Sequence, residues 1–292
     1  MQTSLNLPGF SFTLLLLPRK GEEYEPEKIL EYLDASASAP GWRFSSGSKP
    51  GEPDVKVGTN KGGADEDEAL LVKSGAAPVK LADFAAFEKA ITAAAHNVIK
   101  AEPEITRFDT IAGDGDCGLT LKAGAEGVLK QFKEGKVDQN DLVTSVLSIA
   151  SSVEKTMDGT SGALYSIWLN GVAAGLVAAA KEKGTHEASR PVIALALQKA
   201  LATLFTYTPA RAPSRTLVDP LQAFTDAFGQ SEGADFDGAV RAAFEAAEKT
   251  KDLVAKAGRA AYVGREELQK AQVPDPGAWG VVKLLEGIQS TL

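Results

Sequence analysis

Cysteine, basic charge and long apolar runs are all scarce in this sequence. Cys117 is the single cysteine among 292 residues, so the chain holds no internal disulfide and fits a reducing, cytoplasmic compartment. A net charge of -8 and a pI near 5.0 argue against a nucleic-acid partner, whose binding surface is basic. Leu14 to Leu17 is the only dense apolar run near the start. It is too short to cross a bilayer and lacks the basic region of a signal peptide, so no membrane association is predicted.

The P-loop motif, Gly-x-x-x-x-Gly-Lys-Ser/Thr, is also missing. Any nucleotide site must therefore be built from other residues. The overall composition is typical of a globular protein, because 44% of the residues are hydrophobic and 24% are charged. The length fits one or two domains.

The chain changes character along its length. The run from Leu5 to Leu17 predicts a strand and Pro26 to Leu33 a short helix, which together form an α/β remnant over residues 1–42. Residues 43–78 are rich in Ser, Gly, Pro, Asp and Glu, a composition that predicts a flexible linker. One strand cannot form a sheet by itself. The remnant therefore either docks on the rest of the chain or ends a domain that lies upstream, and we favour the second.

Residues 79–292 carry apolar residues at helical spacing and give no convincing strand. This pattern predicts an all-α domain, a bundle or barrel of about eight helices whose apolar stripes form the core. In one stripe Gly171 and Gly175 are small enough to allow close helix packing. The last three predicted helices span Leu217–Phe228, Phe236–Lys256 and Ala278–Leu292.

An acidic loop is the most informative motif. Asp109, Asp114 and Asp116 lie within eight residues and alternate with glycines, which let backbone N–H groups approach a phosphate. Carboxylates this close repel one another unless a cation such as Mg²⁺, which prefers oxygen ligands, offsets their charge. A solvated acidic turn is the alternative interpretation. A calcium loop of the EF-hand type is less consistent, because its spacing and closing Glu are missing.

Four further segments could contact a phosphorylated ligand. Met157–Leu164 places small hydroxyl residues and glycines at a helix N-terminus, which predicts either an anion site or an ordinary N-cap. Tyr207–Leu217 contains two arginines and several hydroxyls, and either lines a nucleotide or caps the next helix. Gly258–Tyr262 and Pro274–Gly277 suggest a functional loop, although such residues alone predict only turns.

In this order the motifs closely resemble those of the dihydroxyacetone (glycerone) kinase family, specifically its ATP-binding helical domain. Asp109 to Thr120 is similar to the Asp-x-x-x-Gly-Asp-Gly-Asp signature of that domain, and Gly159 to Leu164 to its Gly-x-Ser-Gly-x-Leu phosphate loop. Ser214 to Leu221 resembles its Gly-Asp-Arg-Thr-Met-Ile-Asp-Ala-Leu segment, and Asp275 to Ala278 its Asp-Pro-Gly-Ala ending. Residues 4–11 and 33–42 resemble the end of the substrate-binding domain of the family, so the resemblance covers nearly the whole chain.

The resemblance implies a barrel of eight antiparallel helices, residues 79–292, with the nucleotide at one end. Asp109, Asp114 and Asp116 would hold two Mg²⁺ ions that bridge the phosphates of ATP. The residues implied to contact ATP are Cys117, Gly118, Leu119, Thr120, Thr160, Ser161, Thr216, Leu217, Arg259, Asp275, Pro276 and Gly277.

The sequence departs from the family pattern at several places. Family members often carry His or Thr at the position of Cys117, and residues 212–214 differ from the usual Pro-Gly-Asp before Arg215. The family binds its ketone through a histidine of the substrate-binding domain. The two histidines here, His96 and His186, do not match the context of that residue, so no catalytic residue is assigned in this chain.

The resemblance implies a truncated ATP-dependent dihydroxyacetone kinase that phosphorylates dihydroxyacetone or glyceraldehyde only with a substrate domain from another chain. A homodimer is consistent with the family. Three alternatives stay open: a subunit that keeps ADP as a cofactor and is recharged by a phosphocarrier, an FMN-cyclase activity, and a non-catalytic nucleotide-binding regulator. The intact set of three aspartates favours catalysis.

Overall fold

The computed structural model describes residues 17, 25–35 and 77–292, and the chain divides into two units, Met1–Gly63 and Ala64–Leu292. In the first unit, helix α1 spans Pro26–Asp34 and begins with a proline at its first turn, as predicted. Its Lys28 ammonium lies 2.7 Å from a carboxylate oxygen of Glu31. The predicted strand lies outside the described residues except for Leu17, which is not in a strand, and nearly all of the predicted linker lies outside them too.

Helices are the regular secondary structure of the described part of the second unit, residues 77–292, which confirms the all-α prediction. Its β structure there is limited to one isolated bridge between Lys80 and Glu187. The helices are α2 (Phe84–Ala112), α3 (Cys117–Lys133), α4 (Leu142–Thr156), α5 (Gly159–Lys183), α6 (Arg190–Tyr207), α7 (Val218–Gln230), α8 (Phe236–Lys249), α9 (Arg265–Ala271) and α10 (Pro276–Gln289). Eight of them are long, as predicted, and the seven-residue α9 is an addition.

The eight long helices close into a ring. Each packs on the next from α2 to α8, and α10 packs on both α8 and α2. Short connections make neighbouring helices antiparallel from α2 to α8, as in up-and-down bundles. The hydrogen bond between Asp275 and Thr250 brings the start of α10 to the end of α8. Successive junctions therefore alternate between the two ends of the ring. The α2–α3, α4–α5, α6–α7 and α8–α10 junctions share one end.

Small residues set the closest helix contacts. A Cβ at Gly175 would lie 2.5 Å from the Ala196 carbonyl oxygen, so α5 and α6 touch backbone to backbone. This packing also explains why α5 is so apolar. By length and composition alone α5 could cross a membrane, yet it packs along α4 and α6 and exposes no large apolar side chain. A helix that is apolar nearly all round is buried in a protein core or spans a membrane, and the contacts of α5 with α4 and α6 favour the first.

One predicted helix is too long. The pattern from Phe236 to Lys256 predicts a single helix, but α8 ends at Lys249 and a 3₁₀ turn follows at Thr250–Asp252. The fully buried Thr250 explains the stop: its hydroxyl donates to the Ala247 carbonyl and accepts the N–H of Asp275 at 2.8 Å. This tertiary bond ties the end of α8 to the start of α10. It is not visible in the helical spacing.

Candidate functional site

The turn between α2 and α3 is organised by Asp109. This residue lies in the last turn of α2 and is buried, and its Oδ2 accepts the N–H groups of Asp116 at 2.8 Å and Cys117 at 2.9 Å. A carboxylate is favourable here because the first N–H groups of α3 have no partner within the helix and carry the positive end of the helix dipole. Asp109 therefore fixes the entry into α3 as well as contributing charge.

Asp109, Asp114 and Asp116 meet as predicted. Carboxylate oxygens from the three side chains all lie within 4.8 Å of one another, with Asp109 buried and the other two exposed. Burial, followed by repulsion from Asp114 and Asp109, raises the pKa of Asp116. The donor set is oxygen only and its negative charges are not fully offset by protein groups. Both properties suit a hard divalent cation.

The protein supplies one counter-charge from a distant segment. Arg259 lies on a 3₁₀ turn, Arg259–Tyr262, and its Nη2 is 2.7 Å from Asp114 Oδ2. Gly258, at φ 73°, supplies the left-handed backbone conformation that begins this turn. The pair is exposed, with 70% of the arginine and 38% of the aspartate side chain accessible. Its contribution to stability is therefore small.

The first turns of α7 and α10 lie side by side. A Cβ at Gly277 would be 3.3 Å from Cβ of Leu217, and one at Gly258 would be 3.9 Å from Cγ2 of Thr216. Asp275 caps α10 by accepting the N–H of Ala278 at 2.9 Å. The segments that contain Thr216–Leu217, Gly258–Arg259 and Asp275–Gly277 are thus brought together at one end of the barrel.

The first turn of α3 presents two kinds of surface. Cys117 and Gly118 are buried, Thr120 is half-buried, and Leu119 is 55% exposed, which is unusual for a large apolar side chain. Burial, with nearby Asp109 as the next cause, raises the pKa of the Cys117 thiol. Cys117 is therefore a neutral, inert thiol, because reactivity requires the thiolate.

The N-terminus of α5 carries the remaining predicted residues. Thr160 is exposed and Ser161 is half-buried, directly after Gly159, whose φ is +67°. Within the described residues, neither side chain forms a hydrogen bond to the aspartates. The alternation of helix direction places them at the same end of the barrel. Met157, at the preceding turn, packs against Gly124 of α3.

Two residues of the predicted segment Ser214 to Leu221, Asp219 and Arg215, shape the site although the sequence analysis assigned them no role. Asp219 accepts the N–H groups of Ser214 at 2.9 Å and Thr216 at 2.8 Å, which shapes the turn before α7. The spacing Thr216-x-x-Asp219 is a capping-box pattern and could have revealed it. Arg215 is fully buried between α7 and α10, and nothing in its local sequence signals that position.

Asp275 has a strongly perturbed environment. Burial raises the pKa of its carboxyl to about 6, while the Ala278 N–H and Arg215 act in the opposite direction, and Asp219 and Asp109 add to the increase. The native state therefore binds this proton more tightly than the unfolded chain, whose ordinary pKa is 3.8. Asp275 therefore lowers the free energy of unfolding as the pH rises from 3.8 to about 6.

We expect Asp275→Asn to become more stable relative to the wild type by roughly 2 kcal/mol between pH 4 and pH 7. Asparagine keeps an oxygen for the helix cap but cannot ionise. Urea denaturation of both proteins in EDTA at the two pH values measures the difference. Two stability curves that stay parallel across this range would contradict the assignment of the shift to Asp275.

The fold and the site define a closed helical domain. Four helix N-termini, an acidic cluster with only oxygen ligands and the exposed side chain of Arg259 lie at one end of it. That class of site suits a divalent cation with a phosphorylated ligand. Residues 111–290 match the family described as the DAK2 domain, and the chain belongs to this family.

The chain is also similar in sequence to several kinases. The chain is 39% identical over 291 residues to dihydroxyacetone kinase of Komagataella pastoris, covering 98% of this chain and 45% of that enzyme. It is 38% identical to dihydroxyacetone kinase 1 of Saccharomyces cerevisiae, covering 100% and 48%, and 30% identical to triokinase/FMN cyclase of Homo sapiens, covering 99% and 47%. The chain thus spans about half the length of these relatives.

The fold is also similar to a solved one. The crystal structure of the dihydroxyacetone kinase of C. freundii superposes with a TM-score of 0.59 at 23% identity, covering 74% of this chain and 36% of that one. A second structure of that kinase, in complex with AMP-PNP and Mg²⁺, superposes with a TM-score of 0.56 at 23% identity and covers 70% and 33%. At this level of identity the likeness establishes the fold.

Proposed function

We propose that this chain is the nucleotide-binding portion of an ATP-dependent dihydroxyacetone (glycerone) kinase. The single observation that carries the proposal is the convergence of Asp109, Asp114 and Asp116 at the end of the barrel where four helices begin. The names of the relatives and the AMP-PNP and Mg²⁺ bound by the C. freundii kinase support the same reading. No single sequence motif of the chain would support this proposal by itself.

The three aspartates are proposed to hold Mg²⁺. When bound, the metal offsets the negative charge of the phosphates and of the transferring group. The residues of this chain would orient the ligands of the metal. Asp109 is held by the N–H groups of Asp116 and Cys117, so its buried carboxylate is already oriented, whereas Asp114 and Asp116 are free to adjust. Arg259, which pairs with Asp114 here, would be available to bind phosphate oxygens once Asp114 serves as a metal ligand.

The nucleotide is proposed to lie across the four helix N-termini. Thr160 and Ser161 form no side-chain hydrogen bond with the residues that the structure describes, and their hydroxyls would donate to phosphate oxygens together with the N–H groups that open α5. The other proposed contacts are with Cys117, Gly118, Leu119, Thr120, Thr216, Leu217, Arg259, Asp275, Pro276 and Gly277. Leu119 supplies exposed apolar surface on which part of the ligand can pack.

The phosphoryl acceptor is proposed to be dihydroxyacetone or glyceraldehyde, held by a substrate domain outside these 292 residues. The chain matches only about half of each relative, and no histidine here fits the ketone-binding residue. We assign residues 1–42 to the end of that domain, 43–78 to a linker and 79–292 to the nucleotide domain. We place this reaction in the cytoplasm.

Calorimetric titration with ATP, with and without Mg²⁺, tests the binding step. We expect binding that requires the metal, and phosphorylation of dihydroxyacetone only after the substrate-binding portion of the Komagataella pastoris enzyme is added. A folded chain that binds no nucleotide would contradict the proposal. Binding without phosphoryl transfer in the mixture would instead favour a regulatory role, and ADP that co-purifies and cannot be exchanged would favour the phosphocarrier-dependent subunit.

FMN-cyclase activity is a second candidate, because relatives of 30% identity over 99% of this chain carry that name. The same acidic cluster would serve it, since the ligand again carries phosphates. Incubation of the chain with FAD and a divalent cation, followed by chromatography of the flavin products, separates the two activities. Dihydroxyacetone kinase is favoured because four relatives that carry only that name are 36–39% identical.

A further inference from the structure

Arg215 is buried, and most of the hydrogen-bond donors of its guanidinium have no acceptor among the described residues. Its side chain has 0% exposure, and one hydrogen bond is made, from Nη2 to the carbonyl oxygen of Val273 at 3.1 Å. Nε and Nη1 have no hydrogen-bond partner among the described residues. The nearest opposite charge, Asp275 Oδ2, is 3.9 Å from Nη1, too far for a hydrogen bond. Burying a charged group with unused donors is unfavourable.

The backbone at Arg215 is also unfavourable. Its φ is 62°, in the left-handed region that side chains other than glycine, asparagine and aspartate rarely adopt. The turn around it is firmly held, because Ser214 and Thr216 donate to Asp219 and the Ser214 carbonyl accepts the N–H of Lys256 at 3.1 Å. Strain at one residue within a well-held turn is characteristic of functional sites.

Arg215 lies where the proposed nucleotide contacts of α7 and α10 meet. Along the chain it directly precedes Thr216 and Leu217, the proposed nucleotide contacts at the start of α7. Its guanidinium reaches the Val273 carbonyl and Asp275, and Asp275 is itself one of the proposed contacts at the start of α10. One side chain therefore spans both halves of the proposed nucleotide surface. It has no accessible area with which to touch the ligand itself.

We propose that Arg215 is a positioning residue of the nucleotide site, which holds the first turn of α10 in register with the first turn of α7 through Asp275 and the Val273 carbonyl. This inference rests on the proposed function. Arg215 acts through Asp275, whose N–H is fixed from the opposite side by the Thr250 hydroxyl at 2.8 Å. Without the arginine, Asp275 keeps its helix cap but loses the charge that fixes its free oxygen.

A double-mutant cycle on the full 292-residue chain tests the proposal. Mg-ATP affinity is measured by calorimetry for Arg215→Met, Asp275→Asn and the double variant, each shown by circular dichroism to be folded at the temperature used. We expect Arg215→Met to bind at least about tenfold more weakly, because small misplacements of positioned groups reduce function steeply. The double variant should bind no more weakly than the weaker single variant. Such coupling in affinity is not expected from a residue that only stabilises the fold.

Arg211→Met is the matched control. Arg211 belongs to the same turn, but its guanidinium donors are satisfied locally by the carbonyl oxygens of Phe205, Thr208 and Ala210, each at 2.7 Å. We expect this variant to bind Mg-ATP like the wild type. If Arg215→Met fails to fold, Arg215→Lys replaces it in the cycle, and its affinity should again fall and be coupled to Asp275→Asn.

The outcomes that overturn the proposal are distinct. A folded Arg215 variant that binds Mg-ATP as tightly as the wild type, or effects that add in the double variant, would remove the positioning role and leave the proposed function in place. A folded wild-type chain that binds no Mg-ATP would remove the proposed function and the positioning role together.

Discussion

Asp114→Asn is expected to lower the affinity for Mg-ATP by more than about a hundredfold while leaving the fold intact. Even residues that only orient metal ligands change metal affinity by about 10–100-fold when they are replaced, so a direct ligand should have a larger effect. The substitution keeps the shape of the side chain and removes its negative charge. Because Asp114 is exposed and its pair with Arg259 is on the surface, the free energy of unfolding should change by less than about 1 kcal/mol.

Asp226→Asn provides the control for this prediction. Asp226 is exposed on α7 and forms no hydrogen bond or ion pair within the described residues, so its replacement should change neither binding nor stability. Calorimetry with Mg-ATP and urea denaturation in EDTA measure the two quantities. If Asp114→Asn bound Mg-ATP as Asp226→Asn does, the acidic cluster would be a solvated turn rather than a metal site.

Asp109→Asn would not be an equally clean test. Asp109 Oδ2 holds the N–H groups of both Asp116 and Cys117, so its replacement also disturbs the start of α3. A loss of binding in that variant would combine a missing ligand with a displaced helix. Asp114 separates the two effects because, among the described residues, its carboxylate pairs with the exposed Arg259 side chain and holds no backbone N–H group.

The helices were predictable because their apolar spacing repeats over many residues. The acidic cluster was predictable because Asp109, Asp114 and Asp116 are neighbours in sequence, where a tight turn must bring them together. Both predictions depend on local patterns. The roles of the predicted site residues in binding ATP and Mg²⁺ remain predictions.

Contacts between distant segments were not predictable from the sequence. The ion pair of Arg259 with Asp114 joins residues that no local motif connects, and the end of α8 at Lys249 depends on the bond between Thr250 and Asp275. Arg215 is the clearest case, because arginine in a polar loop is ordinarily a surface residue. Its complete burial follows from how α7 and α10 meet, which composition and spacing do not encode.

Gly118→Ala is expected to destabilise the protein by about 3 kcal/mol, because the added methyl group has no room. A Cβ at Gly118 would lie 2.5 Å from the Glu102 carbonyl oxygen and 2.8 Å from the Thr106 backbone nitrogen. Both are backbone atoms of α2, so no side-chain rotation can relieve the overlap and α3 must move away. The gain in helix propensity, about 1 kcal/mol, is smaller than this cost.

Gly264→Ala is the matched control, because a Cβ there would meet no atom within 4 Å and the backbone φ of -57° suits any residue. Its free energy of unfolding should stay within about 0.5 kcal/mol of the wild type. Urea denaturation of both variants measures the difference.

Gly118→Ala is also expected to weaken the binding of Mg-ATP. Cys117, which precedes Gly118, donates its N–H to Asp109, so moving α3 away from α2 also pulls on the buried carboxylate of the acidic cluster. Affinity should therefore fall even at temperatures where Gly118→Ala remains folded. Full affinity in a destabilised but folded variant would show that the cluster tolerates movement of α3, and the orienting role given to Asp109 would then be wrong.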